Sequence, residues 1–130
     1  MNELERILEL EQRLLDEILP AMRERAHAVD LKKAIDRHLL ETEQHVANLK
    51  RIGTLELPEG GDFELLAEIL RIEHAELAAY AFLVEAARAL DVDEETIRLL
   101  RLNMEQDDYA REQADHALAR LLAEKVTERR

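Results

Sequence analysis

The chain has 130 residues, of which 47% are hydrophobic and 3% aromatic, and it carries a formal net charge of −12 at pH 7. Because nucleic-acid binding relies on clustered Lys and Arg to neutralise phosphates, this charge argues against a nucleic-acid partner. The sequence contains neither cysteine nor serine, which excludes disulfides, thiolate metal sites and both Ser and Cys nucleophiles.

Two features of the sequence indicate where in the cell the protein resides. The opening stretch MNELERILEL carries glutamates where a signal peptide needs basic and then apolar residues. No uninterrupted apolar stretch approaches the ~20 residues that cross a membrane. We therefore expect a cytoplasmic protein with no membrane partner, and the length fits one domain over residues 1–130.

Apolar residues recur at helical spacing in four segments, residues 2–28, 30–53, 62–90 and 93–127. The last three segments begin with aspartates, which are suited to a helix N-terminus. Three glycines and two prolines are too few for a turn-rich β fold. Four amphipathic helices of similar length predict an all-α four-helix bundle.

The first helix has an apolar stripe with a proline inside it. The stripe consists of Leu4, Leu8, Leu15, Ile18 and Met22. Pro20 lacks a backbone N–H, and its ring clashes with the preceding turn, so we expect a kink or a reset of the hydrogen-bond ladder there.

The third helix is apolar around most of its girth, as in AELAAYAFLVEAARAL. A surface helix of a monomer needs only one apolar stripe. The excess predicts a second buried face and therefore a homo-oligomer. Alanine-rich filler on a weakly exposed face is the alternative interpretation.

The segment GTLELPEGG at residues 53–61 joins the second and third predicted helices. Fully extended, such a segment spans roughly 30 Å, which is barely enough to run the length of a bundle. Leu55 and Leu57 alternate with polar residues, and Pro58 favours an extended backbone before it. The pattern suits an extended crossover that lies on the bundle.

Each predicted helix interrupts its apolar stripe near mid-length with polar side chains. The interrupting residues are Glu11 in the first helix, His38, Thr42 and His45 in the second, Glu73 in the third and Asp107 in the fourth. Glu41 lies at the edge of the second stripe, and Glu76 lies one turn beyond Glu73 as either a bridging ligand or part of an interface.

Several buried carboxylates cannot all stay ionised without a counter-charge. A metal ion would neutralise them, and oxygen and imidazole ligands suit Fe or Mn. The predicted ligands are Glu11, Glu41, His45, Glu73 and Asp107. A metal-free polar layer is the alternative, with Asp107 paired to Arg111 and with His38 paired to Glu41 or Glu11.

Four stretches of the sequence resemble the YciE/YciF-type family of stress-associated, ferritin-like bacterial proteins. They are LELEQRLLDEILPAM, HLLETEQHVANL, IEHAELAAY and LLRLNMEQDDYA. The resemblance implies a ferritin-like bundle with a long crossover between the second and third helices, usually dimeric. It also implies a di-iron or related site and a role in stress response.

The chain departs from a full ferritin motif at three points. Asp107 is followed by Ala110 where the motif has histidine, Glu41 is followed by Gln44, and Arg111 adds a positive charge. We accordingly expect one ion, two ions or an empty site. One hypothesis is a metal protein with weak ferroxidase, oxidase or peroxide-scavenging activity. The other is a non-enzymatic homodimeric or partner-binding bundle with a metal-free polar core layer.

Overall fold

The computed structural model describes residues 2–58 and 60–128. Their regular secondary structure is entirely helical, in agreement with the predicted all-α class. The chain divides into two compact units, Met1–Leu57 and Pro58–Arg130. Within the described residues, no helix combines the length and the apolarity that crossing a lipid bilayer requires.

The first unit contains helix α1 (Glu3–Arg13), a π-helical segment (Leu14–Ile18), α2 (Leu19–Arg25) and α3 (Val29–Ile52). Asn2 caps α1 by accepting a hydrogen bond from the Glu5 backbone N–H at 2.9 Å, while the Glu5 carboxylate accepts one from the Asn2 N–H. This reciprocal capping satisfies two backbone donors that a helix N-terminus otherwise leaves unpaired.

The predicted reset of the hydrogen-bond ladder at Pro20 is the π-helical segment just before it. The backbone N–H of Leu19 donates to the carbonyl of Leu14, five residues earlier, rather than to the carbonyl four residues earlier. Pro20 itself lies in the first turn of α2, where its missing N–H costs no helical hydrogen bond.

This segment changes which residues of α2 are buried. Leu19 and Ala26 are 5% and 8% exposed and pack with Ile35 of α3. Met22, which the stripe placed at the core, is 46% exposed, so that prediction was wrong. The cause is the extra residue in the π-helical turn, which advances the buried face by one position.

On the buried face of α3 the prediction is confirmed for Thr42 but not for His38 and His45. Ile35, Thr42 and Val46 are buried, and the Thr42 hydroxyl donates to the His38 carbonyl at 2.7 Å. The side chains of His38 and His45 are 47% and 46% exposed, so they flank this face within the first unit. Gly53 ends the helix with a positive φ of 75°, which glycine adopts without strain.

Residues 53–58 follow α3 without regular secondary structure. Leu55, expected to alternate inward along the crossover, is 51% exposed. Glu59, which belongs to the predicted crossover, lies outside the described residues. The crossover itself stays a prediction.

The second unit consists of α4 (Gly61–Ala89) and α5 (Glu94–Glu128), which pack against each other. Asp93 caps α5, because its Oδ1 atom accepts a hydrogen bond from the Thr96 N–H at 2.7 Å. That hydrogen bond lowers the pKa of Asp93, since it favours the ionised carboxylate. The predicted helix starts near 62 and 93 are therefore confirmed to within a residue.

Helix α4 has two apolar stripes. The stripe along Leu66, Leu70, Leu77, Tyr80, Val84 and Ala87 is buried or half-buried. A second set of apolar residues on the neighbouring face is exposed, with Leu65 at 57%, Ile69 at 42%, Ile72 at 49% and Leu83 at 44%. Within the second unit, the packing of α5 on α4 therefore covers only the first stripe.

Candidate metal site

Three carboxylates meet within the second unit. Glu73 and Glu76 lie one helical turn apart on α4, and Asp107 lies on α5. One carboxylate oxygen from each of the three lies within 4.8 Å of the others. Glu73 and Asp107 were predicted as site residues, and the pairing of α4 with α5 brings them together.

The three carboxylates differ in burial and partners. Glu73 is half-buried, and its Oε2 atom is buried without a hydrogen-bond partner among the described residues. The pKa of Glu76 is raised, chiefly by a hydrogen bond with Asp107 and by the negative charge of Asp107. A proton on Glu76 therefore relieves part of the repulsion between like charges.

The chemistry of this cluster suits a hard cation. Carboxylate oxygens are the ligands that Mg²⁺, Ca²⁺ and Mn²⁺ prefer, and Fe²⁺ also takes them with imidazole. A buried lone pair without a donor, as on Glu73, costs free energy that a bound cation would recover. The residues present therefore fit a metal ion.

A second polar pair lies in the first unit. The Nδ1 atom of His45 on α3 lies 3.3 Å from Oε2 of Glu11 on α1. The Glu11 side chain is 15% exposed and that of His45 is 46% exposed. In the tautomer with the proton on Nδ1, the ring donates to Glu11 and leaves Nε2 free to bind a metal.

Glu41 contacts two side chains of its own helix, α3. Its Oε1 atom accepts a hydrogen bond from Arg37 Nε at 3.0 Å, and its Oε2 lies 3.7 Å from His38 Nδ1. The pairing of His38 with Glu41 that the metal-free interpretation required is thus present in part. Gln44 is exposed and donates to Asn48 of the same helix at 2.8 Å.

Arg111 does not balance Asp107 in the way the sequence suggested. Its guanidinium donates to Asp108 at 3.1 Å and to Asp115 at 2.5 Å, both on its own helix. The hydrogen bond to Asp108 raises the pKa of Arg111. Asp107 instead joins the two glutamates of α4.

Comparison with known protein families gives a match to the first part of the chain. The model of a family described as Domain of unknown function (DUF892) matches residues 1–56. No curated protein and no solved structure matches the chain.

The DUF892 match covers the first unit and less than half of the chain. It includes Glu11 and His45, whereas the three-carboxylate cluster lies beyond it. The sequence left the role of Glu76 open. Its spacing of three residues from Glu73, which places both on one side of a helix, was the signal that could have decided it.

Proposed function

We propose that the chain is a ferritin-like four-helix bundle that binds iron or manganese through its carboxylates. The observation that carries this proposal is the convergence of Glu73, Glu76 and Asp107 within 4.8 Å. The family match adds support, because DUF892 is grouped with the ferritin-like proteins. The chain's resemblance to the YciE/YciF-type family points the same way.

The cluster favours a cation because it holds negative charge that a proton only partly offsets. The pKa of Glu76 is raised by its contact with Asp107, so in the metal-free protein these two carboxylates compete for a proton. A divalent ion that displaces this proton would bind all three carboxylates. It would also supply a partner for the unpaired Oε2 of Glu73.

We further propose Glu11 and His45 as metal ligands, as the sequence predicts. Within the first unit the Glu11 carboxylate and the His45 imidazole lie 3.3 Å apart, and both are group types that bind iron and manganese. Glu41 stays a predicted ligand. To bind a metal, it would have to give up its present contacts with Arg37 and His38.

The metal would supply any redox chemistry, such as a weak ferroxidase, oxidase or peroxide-scavenging activity in iron or oxidative stress. The chain's own residues would bind the ion, and Glu11 would orient the His45 ring by accepting its Nδ1 proton.

The exposed apolar stripe of α4 supports the bundle. A helix in a four-helix bundle contacts two neighbours and needs two adjacent apolar stripes, as α4 has. The remaining face of α4 carries Phe82, which is 73% exposed, and we propose it as the contact of a homodimer. Sedimentation of the full chain and of Phe82→Glu tests this, since a monomeric wild type would contradict it.

The metal proposal is tested by titrating the purified full chain with Mn(II), followed by electron paramagnetic resonance. We expect binding that falls at least about tenfold in Glu76→Gln and Asp107→Asn, because each removes a charged ligand. Glu105→Gln is the matched control, since Glu105 is an exposed acidic residue on α5, the helix that carries Asp107. Absence of Mn(II) and Fe(II) binding by the wild type would overturn the proposal, as would equal losses in all three variants.

The second candidate is a non-enzymatic bundle with a metal-free polar layer. The approach of His38 Nδ1 to Glu41 Oε2 at 3.7 Å favours it, whereas Arg111 pairs with Asp108 and Asp115 rather than with Asp107. In this case the carboxylates would stabilise the fold. A higher free energy of unfolding in metal-free Glu73→Gln would contradict this candidate, because it would show that the Glu73 carboxylate destabilises the fold.

A further inference from the structure

The residues of α1 and α2 that face α3 lie on one continuous side. Their spacing in the sequence nevertheless changes between α1 and α2. Leu4 and Glu11 are seven residues apart, and so are Leu19 and Ala26, which matches two helical turns. Glu11 and Leu19 are eight residues apart. In a regular α-helix eight residues amount to two turns plus about 80°, so Glu11 and Leu19 would face different directions.

The π-helical segment Leu14–Ile18 absorbs this difference. Its turn contains one more residue than an α-helical turn, as the hydrogen bond from Leu19 N–H to Leu14 carbonyl shows. Glu11 can therefore approach His45 of α3 while Leu19 and Ala26 pack against Ile35 of the same helix.

Pro20 determines where this extra residue is accommodated. In an uninterrupted α-helix Pro20 would have no N–H for the Asp16 carbonyl, and its ring would clash with that carbonyl, at a cost of ~3 kcal/mol. The π-helical segment ends two residues before Pro20, which leaves the proline in the tolerated first turn of α2.

The sequence also contains residues that suit the other register. In a regular helix Ile18 and Met22 would continue the side that carries Glu11, because they follow it at seven and eleven residues. In the structure Met22 is 46% exposed, and Arg23 instead reaches Asp36 of α3 at 2.7 Å. The choice between the two registers therefore depends on the π-helical turn.

We infer that Pro20 is a positioning residue that sets the phase of Glu11 relative to Leu19 and Ala26. By holding the π-helical turn in place, it allows Glu11 to contact His45 while Leu19 and Ala26 fill the core. The step from this contact to metal binding rests on the proposed function. The register itself is independent of any metal.

The test compares Pro20→Ala with a double variant, Pro20→Ala plus deletion of Glu17. Glu17 is an exposed residue of the π-helical segment, and its removal makes Glu11 and Leu19 seven residues apart. We expect Pro20→Ala to shift toward the regular helix, in which either the Glu11–His45 contact or the packing of Leu19 against Ile35 is lost. The deletion should restore both in a straight helix. Pro58→Ala, in the segment after α3, is the matched control.

Two measurements follow these variants. Nuclear Overhauser contacts of Glu11 with His45 and of Leu19 with Ile35 report the register in metal-free protein. Mn(II) affinity should follow the Glu11–His45 contact, with a loss of about tenfold in a variant that loses it. Retention of both contacts in Pro20→Ala would overturn the inference, and so would a folded double variant that lacks either.

The readouts separate this inference from the proposed function. If the wild type binds no metal, the proposed function fails while the Overhauser contacts still decide the role of Pro20. If Pro20→Ala alone does not fold, the double variant decides, because a folded double variant with both contacts supports the inference and one that lacks either refutes it.

Discussion

The Nδ1 atom of His45 lies 3.3 Å from the Oε2 atom of Glu11 and so joins α3 to α1. A carboxylate that accepts the Nδ1 proton fixes the orientation of an imidazole ring and directs Nε2 outward. The Glu11 carboxylate is largely covered at 15% exposure, whereas the ring is accessible at 46%. This arrangement suits a ligand whose free nitrogen is offered to a metal.

Because Glu76 and Asp107 belong to one carboxylate cluster, their substitutions should not be additive. We expect Glu76→Gln and Asp107→Asn each to weaken Mn(II) binding, by about 10-fold to 100-fold. The double variant should then lose less than the sum of the two free-energy changes, because residues of one network are coupled. Calorimetric titration of the four proteins measures this coupling. Strict additivity would mean that the two carboxylates do not bind the same ion.

The raised pKa of Glu76 predicts a pH dependence of stability in the metal-free protein. A carboxyl group whose pKa is higher in the folded state binds more protons there, so stability falls as pH rises from its ordinary pKa through the raised one. Glu76→Gln should remove this fall and make the metal-free protein more stable at pH 7. Urea unfolding at several pH values with chelator present gives the free energies. Glu105→Gln serves as control, and an equal gain there would point to net charge instead.

A bound divalent ion should stabilise the fold by mass action. At a free Mn(II) concentration of 100 times Kd the gain is about 2.7 kcal/mol, which raises the melting temperature by several degrees. Thermal unfolding followed by circular dichroism, with and without metal, measures the shift. We expect it to shrink in Asp107→Asn and to persist in Glu105→Gln. A shift that survives in Asp107→Asn would assign the metal to other residues.

The register of α2 predicts opposite sensitivities for two neighbouring apolar residues. Leu19→Ala should lower the free energy of unfolding by about 2–5 kcal/mol, because Leu19 is 5% exposed and its removal leaves a cavity. Met22→Ala should cost well under half as much, since Met22 is 46% exposed. Chemical denaturation compares the two, and a larger loss for Met22 would indicate a regular helix through this segment.

The cap of α5 gives a local stability prediction. Asp93→Ala should cost about 1 kcal/mol, because the Thr96 N–H loses its acceptor, while Asp93→Ser keeps a capping oxygen and should cost little. The lowered pKa of Asp93 means that this contribution is present above its ordinary pKa and is lost as pH falls through the lowered value. Urea unfolding at pH 7 and at pH 3 tests both statements.

Features that depend on neighbouring residues were predictable from the sequence. The positions of the long helices, their ends near Gly53 and Asp93, and the disturbance at Pro20 all agree with the structure. Capping, glycine at a positive φ and the missing N–H of proline act within a few residues, so the chain itself carries the information. The apolar excess of α4 was also visible, and it corresponds to the exposed second stripe.

The choice of partners for the polar side chains required the tertiary structure. From its position in the sequence, Arg111 could pair with either Asp107 or Asp108. In the structure it pairs with Asp108, and the packing of α4 on α5 brings Asp107 close to Glu73 and Glu76. In the same way, the π-helical turn moved the buried face of α2 to Leu19 and Ala26, and His38 and His45 lie beside the buried face of α3 while Thr42 is buried in it as predicted. The sequence by itself determined the helices and the side chains available to a site, because these follow from local rules. Only the tertiary structure decided which of them meet, because one residue of helical phase turns a side chain by about 100°.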